Sequence, residues 1–172
     1  MKSGEVHMGK ILLDRAEKIA EAIVAKLKPY CKQIEIAGSI RRRRPFIGDI
    51  DIVLIPSDPW NLHQEILGMC RPFPAKMSGS KIMRVTVVSN SGPVQVDIYF
   101  ADETTWATLL LIRTGSTENN IRLCLRAKQR GWHLAADGSG LFNEAGQRIA
   151  GDSEQSIYEA LGLPYQEPWE RK

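Results

Sequence analysis

Cysteine is scarce in this chain of 172 residues: Cys31, Cys70 and Cys124 are odd in number and far apart. That excludes a disulfide framework and the paired spacing of a zinc motif, so reduced thiols and an intracellular, cytoplasmic setting are expected. No apolar run approaches the roughly 18 residues of a membrane span, and the first residues lack a signal-peptide core; no membrane partner is expected. His7, His63 and His133 have no ligand spacing, which argues against an imidazole metal site. Aromatics are only 7% of the chain, and Trp60, Trp106, Trp132 and Trp169 are scattered, a distribution that suits packing better than base stacking. Charge of one sign is lacking overall, since a net charge of +3 is too small to identify a polyanion partner.

What is present is an ordinary globular composition, 43% hydrophobic and 25% charged, enough for one domain or two small subdomains with a core. The basic excess is local. It sits in Arg41 to Arg44 and again along Arg113, Arg122, Arg126, Lys128 and Arg130, two clusters that fit either a polyanion touched at two places or solvated surfaces.

Leu12, Ala16, Ile19, Ile23 and Leu27 recur at helical spacing, and Pro29 ends that helix. A strand is expected over 33–37, another over DIDIVLIP up to Pro56, a helix around 62–70, and two strands, KIMRVTVVS and PVQVDIYFA, joined by a turn at 90–92. This predicts an α+β fold whose first part is an open mixed sheet with helices on one side. Near Thr104 the character changes. WATLLLIR reads as a helix, TGS as a turn, and TENNIRLCLRAKQR as a helix capped by Ser116 and ended at Gly131. WHLAA, GLFN and QRIA suggest a small sheet. A last helix is expected to be capped by Asp152, with Gln155 reaching back, and to end at Gly162 and Pro164.

On a strand of period two, Asp49 and Asp51 share one face while Ile50, Ile52 and Leu54 take the other. Asp97 likewise projects away from Val94, Val96 and Ile98. If the two strands are neighbours, three carboxylates converge, a costly arrangement unless divalent cations neutralise it. Hard oxygen ligands of this kind suit magnesium, and two such ions serve phosphoryl and nucleotidyl transfer. Upstream, the strand ending at Gly38 and Ser39 offers backbone N–H groups and a hydroxyl to phosphate, with Gly38 permitting close approach.

Gly-Ser, then about ten residues, then D-x-D, with a third aspartate on a later strand, resembles the nucleotidyltransferase signature. GSIRRRRPFIGDIDIVL, VDIYF, RTGSTENNIRLCLRAKQRGWHL, GLFNEAGQRIAG and YEALGLPYQEPWER together resemble the palm and thumb of family X DNA polymerases, the polymerase beta group. The resemblance implies a minimal form without lyase or helix-hairpin-helix regions, with a palm over 1–105 and a thumb over 106–172. It implies DNA-directed DNA synthesis from dNTPs by a monomer, with a gap-filling role in repair. Asp49, Asp51 and Asp97 would hold two Mg2+ ions, which Mn2+ could replace, and carry catalysis. Gly38, Ser39, Arg42 and Gly48 would bind the nucleotide's phosphates. Thr114, Gly115 and Ser116 would line its sugar, and Asn120 would reach its base. Lys81, Arg122, Arg126, Lys128 and Arg130 would contact DNA.

Four positions depart from the family pattern: Ile112 and Arg113 replace the aromatic pair before T-G-S, Gln95 stands two residues before the third aspartate in place of arginine, and Cys124 replaces an arginine eight residues after T-G-S. Sugar selection, the positioning of Asp97 and the grip on the template are the functions these changes touch. Neighbours such as Arg122 or Arg126 are the expected substitutes. A small-molecule or protein nucleotidyltransferase would share Gly38, Ser39, Asp49 and Asp51 without needing the T-G-S segment. A terminal transferase is a further alternative, and a non-catalytic DNA-binding module would leave the carboxylates facing a polyanion they repel.

Overall fold

The computed structural model describes residues 9–172; His7 lies outside them. After a two-residue strand β1 (Ile11–Leu12), helix α1 (Leu13–Leu27) buries Ala16, Ala20, Ile23 and Leu27, one stripe at helical spacing. A single 3-10 turn containing Pro29 ends it. Strand β2 (Cys31–Ile36), the short helix α2 (Gly38–Arg41), β3 (Phe46–Ile47) and β4 (Ile50–Pro56) follow. Helix α3 (Pro59–Met69) starts at Asp58, whose side chain accepts from the Asn61 N–H at 3.2 Å. Then come β5 (Met77–Ser78) and the hairpin β6 (Ile82–Ser89) and β7 (Gly92–Phe100).

These strands form a five-stranded sheet in the order β2-β4-β7-β6-β5, in which β4 and β7 run parallel and the other pairs antiparallel. Ile50, Ile52 and Leu54 of β4 and Val94, Val96 and Ile98 of β7 pack with α1 and α3 in one core. The alternation that hides these apolar side chains leaves the intervening positions facing the other way. Over that second face lies α4 (Trp106–Thr114), whose Leu109 and Leu110 pack with Val53, Ile55 and Tyr99. Helices of the first part thus lie on one side, as expected, and α4 covers part of the opposite one.

A separate core follows. It joins Leu123 and Ala127 of α5 (Thr117–Gln129), Leu134, Leu141 and Ala150 of the antiparallel β8 (His133–Leu134), β9 (Leu141–Phe142) and β10 (Arg148–Ala150), and Ile157 and Tyr158 of α6 (Glu154–Ala160). Ser116 caps α5 as expected, accepting from the Asn119 N–H at 3.1 Å. The cap of α6 is Ser153 rather than Asp152, and Ser156 is its reciprocal partner. Asp152 pairs with Arg148 at 2.8 Å and Gln155 with Glu159 at 2.7 Å; both side chains find partners outside the cap. No described helix is long and apolar enough to cross a membrane.

The halves are tied through α2. The Arg41 guanidinium donates to Glu154 Oε1 at 2.6 Å and Thr114 Oγ1 at 2.9 Å, and Arg171, fully buried, donates to Glu154 Oε2 at 2.5 Å. Arg44 donates to the Arg171 carbonyl at 2.9 Å, and Arg43 lies 4.2 Å over the Trp169 ring.

Candidate active site

The parallel register sets Asp51 directly beside Asp97. Asp49 precedes β4 by one residue and, by the alternation of the strand, lies on the face of Asp51. Gly38 adopts φ +60° immediately against this group; a Cβ there would collide with Asp51 Oδ2. The conformation and the closeness both require glycine. Its close approach is thus to a carboxylate of the site, an observation the phosphate argument alone does not supply.

The carboxylates are electrostatically frustrated. Burial, then the charges of Asp49 and Asp97, push Asp51 up to about 7. Burial and the Asp97 charge raise Asp49 as well. Such shifts mark negative charge without enough compensation, the condition a bound cation relieves. The Tyr99 hydroxyl lies 3.4 Å from Asp51 Oδ1 and 3.5 Å from Asp97 Oδ2, long contacts for a single donor. Burial and the two carboxylates raise its phenol above the usual range. Arg113 covers the ring at 4.3 Å.

Asp97 has the strongest partner. Arg84, opposite it on β6, donates from Nε to Oδ1 at 2.8 Å and from Nη2 to Oδ2 at 2.7 Å. Gln95 adds a longer contact to Oδ1 at 3.4 Å. With Asp97 held toward β6, no group of three His, Cys, Asp or Glu among the described residues stands arranged around a metal position. The donor set is nevertheless the hard, acceptor-only oxygen set that suits magnesium, and it carries the uncompensated charge just described, so the residues fit such an ion once Asp97 turns toward Asp51. Of the arginines, Arg84 contacts Asp97, whereas Arg122 and Arg126, named as general substitutes for the departing residues, have partners elsewhere. The tight hairpin turn at Asn90 and Ser91 makes the strand pairing symmetrical about it and so places residue 84 opposite 97. That was the available sequence signal.

Beside the carboxylates opens a cleft of about 310 Å³ lined by Gly38, Ser39, Arg42, Asp49, Asp51, Tyr99, Ile112, Arg113, Gly115, Thr117 and Asn120. Arg42 donates to the Thr114 carbonyl, and Asn120 Nδ2 to the Ile112 carbonyl at 2.9 Å. Arg42 Nε, Arg113 Nε and Asn120 Oδ1 are buried without partners. Each such atom costs about 1–3 kcal/mol, and all three belong to cleft residues, so the polar atoms of a ligand are what this side of the cleft lacks. Gly48 is exposed just before Asp49.

The T-G-S turn differs from expectation. Gly115, at φ +73°, lines the cleft. The Thr114 hydroxyl accepts from Arg41, and Ser116, besides capping α5, donates to the Lys172 carbonyl; both side chains are buried and turned inward. Their hydroxyls hold the turn and do not line the cleft.

On α5, Arg122 donates to Gln166 at 2.6 Å, Arg126 to the Leu161 carbonyl at 3.1 Å and Arg130 to the Ala160 carbonyl at 2.8 Å. Lys128 is exposed, and its side chain makes no hydrogen bond or ion pair among the described residues. Lys81 is exposed at the start of β6, near Asp102 and Asp137. Trp60 is 73% exposed, so it does not serve packing as expected. His63 is half-buried and His133 exposed.

Residues 109–172 match the family model "DNA polymerase beta thumb". Over 151 residues, 87% of this chain, the sequence is 28% identical to the DNA polymerase/3'-5' exonuclease PolX of Bacillus subtilis (strain 168), and the chain spans about a quarter of that relative, 26% of its length. The fold matches the polymerase beta of Leishmania infantum, solved as a ternary P/T complex, with a TM-score of 0.81 over 95% of this chain and 77% of that one, at 21% identity. The chain thus has the polymerase beta fold along nearly all of its length, and over residues 109–172 it matches the polymerase beta thumb.

Proposed function

We propose that this chain is a DNA-directed DNA polymerase that adds dNMP to a primer 3′-hydroxyl by two-metal nucleotidyl transfer, acting as a monomer on gapped DNA in repair. The observation that carries the reading is the pairing of Asp51 with Asp97 on parallel strands, with Asp49 beside them, at the edge of a cleft whose other wall has unpartnered buried polar atoms. In this reading Asp49, Asp51 and Asp97 hold two Mg2+ ions. Bound there, the ions supply charge neutralisation for the attacking oxygen and the departing pyrophosphate.

The remaining work falls to the chain. Asp97, which does not line the cleft as Asp49 and Asp51 do, accepts the proton of the primer hydroxyl in this reading. Ser39, Arg42 and the backbone at Gly48 and Gly38 hold the phosphates, with Arg42 already fixed by the Thr114 carbonyl. Gly115 borders the sugar and Asn120 the base. DNA runs along α5, where Lys128 is free and the guanidinium groups of Arg122, Arg126 and Arg130 keep spare donors, and passes Lys81.

Primer extension on gapped, recessed and single-stranded substrates, with each dNTP and Mg2+ or Mn2+, tests the reading. Asp49→Ala or Asp51→Asn should lose at least about 10³-fold in nucleotide addition, because the metal site supplies several kcal/mol of the barrier reduction. Arg42→Ala should raise the KM for dNTP more than it changes DNA binding. Near-normal extension by either aspartate variant would overturn the assignment.

A further inference from the structure

We infer that Arg84 is a positioning residue for Asp97, and that it competes with divalent cations for that carboxylate, holding it turned toward β6 until an ion draws it toward Asp51. The inference rests on the metal site of the proposed function. It adds a residue that neither the family pattern nor the spacing of the motifs assigns.

The geometry carries it. Arg84 and Asp97 are cross-strand partners in the β6–β7 hairpin, so their separation is set by the sheet. The fork engages both carboxylate oxygens at 2.8 and 2.7 Å, the planar bidentate pairing that is among the strongest side-chain interactions. Asp97 is 3% exposed in its side chain and Arg84 36%. Asp97 therefore has no water-rich alternative, while Arg84 can swing outward. A carboxylate oxygen has two lone pairs, so release need not be complete: a cation can take the outward pair of one oxygen while a single N–H of Arg84 keeps the other. The guanidinium and the ion are like charges beside one carboxylate, and each weakens the other's hold. Gln95, where the family commonly carries arginine, is neutral and more distant at 3.4 Å, so the cationic partner of Asp97 is supplied from the neighbouring strand.

Three variants separate charge from geometry: Arg84→Met removes both, Arg84→Gln keeps a donor without charge, and Arg84→Lys keeps charge without the fork. The primary readout is Mn2+ binding to protein free of DNA and nucleotide, titrated by electron paramagnetic resonance. Arg84→Met and Arg84→Gln should bind Mn2+ about tenfold more tightly, the scale of one unit charge removed beside a divalent ion at a partly exposed site, and Arg84→Lys should stay within about twofold of the parent. Primer extension at saturating Mn2+ should fall in Arg84→Met and recover in part in Arg84→Lys. A merely structural role for Arg84 would lower stability and activity without tightening Mn2+ binding. Unchanged or weaker binding in Arg84→Met, with its circular dichroism intact, overturns the competition. Asp51→Asn serves as the control: if it abolishes Mn2+ binding while Arg84→Met leaves it unaltered, only this inference fails. If Asp51→Asn leaves binding untouched, the metal site and the inference fail together.

Discussion

Two arginine-rich segments look alike in composition and behave differently. Arg41 to Arg44 are consecutive, but α2 ends at Arg41 and the chain turns at Arg43, φ +56°, so their side chains diverge. Arg41 reaches a buried glutamate, Arg42 the cleft beside the carboxylates, Arg43 a tryptophan and Arg44 a backbone carbonyl. Arg122, Arg126 and Arg130 are spaced by four along α5 and therefore form one stripe, directed at the end of α6 and the tail beyond it. The first set is anchored by a buried charge pair, Arg41 with Glu154. In the second, Arg126 and Arg130 couple charge to helix-end carbonyls near the surface, where the dipole favours cations, and Arg122 meets the Gln166 side chain. A cluster of basic residues thus identifies a binding surface only after its internal obligations are subtracted.

The largest expected effect lies in the buried set. Glu154→Gln should destabilise the fold by about 3 kcal/mol or more, since it leaves the fully buried Arg171 and the largely buried Arg41 without their counter-ion. A urea unfolding curve measures it. A loss below about 1 kcal/mol would erase the contrast with the surface set.

A smaller effect is expected on α5. Arg126→Met and Arg130→Met should each cost about 1 kcal/mol or less, and the cost should shrink at high salt as screening weakens the helix-end interaction. Unfolding curves at low and high salt check both statements; a salt-independent loss of several kcal/mol would place these residues with the buried set.

The smallest stability effect belongs to Lys128, which has no internal obligation. Lys128→Gln should leave stability within about 0.5 kcal/mol and reduce the salt slope of DNA binding by about one unit if the side chain meets a phosphate. An unchanged slope would make it a solvated surface residue.

Much of the fold was legible because local signals agreed. The apolar stripe and Pro29 define α1, the alternation of DIDIVLIP separates Asp51 from Ile50 and Ile52, and Ser116 starts α5 as its hydroxyl position suggests. Hydroxyl-rich boundaries were less so: Asp152, Ser153 and Ser156 all qualify as cap residues, and local geometry decides among them. The inward hydroxyls of Thr114 and Ser116 were illegible because their partners, Arg41 and the C-terminal tail, are 73 and 56 positions away in the chain. Glu154 carries no motif, and its role appears only when residues 41 and 171 are brought together. Arg84 stands between these cases, since hairpin pairing counted from the turn leads to it.

The hairpin also sets how much chain entropy each contact of the site costs. Arg84 and Asp97 are 13 positions apart in the chain, whereas Tyr99 reaches Asp51 across 48. Loop closure scales with the logarithm of length, so the longer contact costs about 1 kcal/mol more in chain entropy before any interaction offsets it. The ion pair is thus the cheaper one to close, and it lies within a single hairpin. With Arg84 paired to it, Asp97 lies beside β4 with its charge partly offset, which lessens without removing the repulsion among the carboxylates of the parallel β4 and β7.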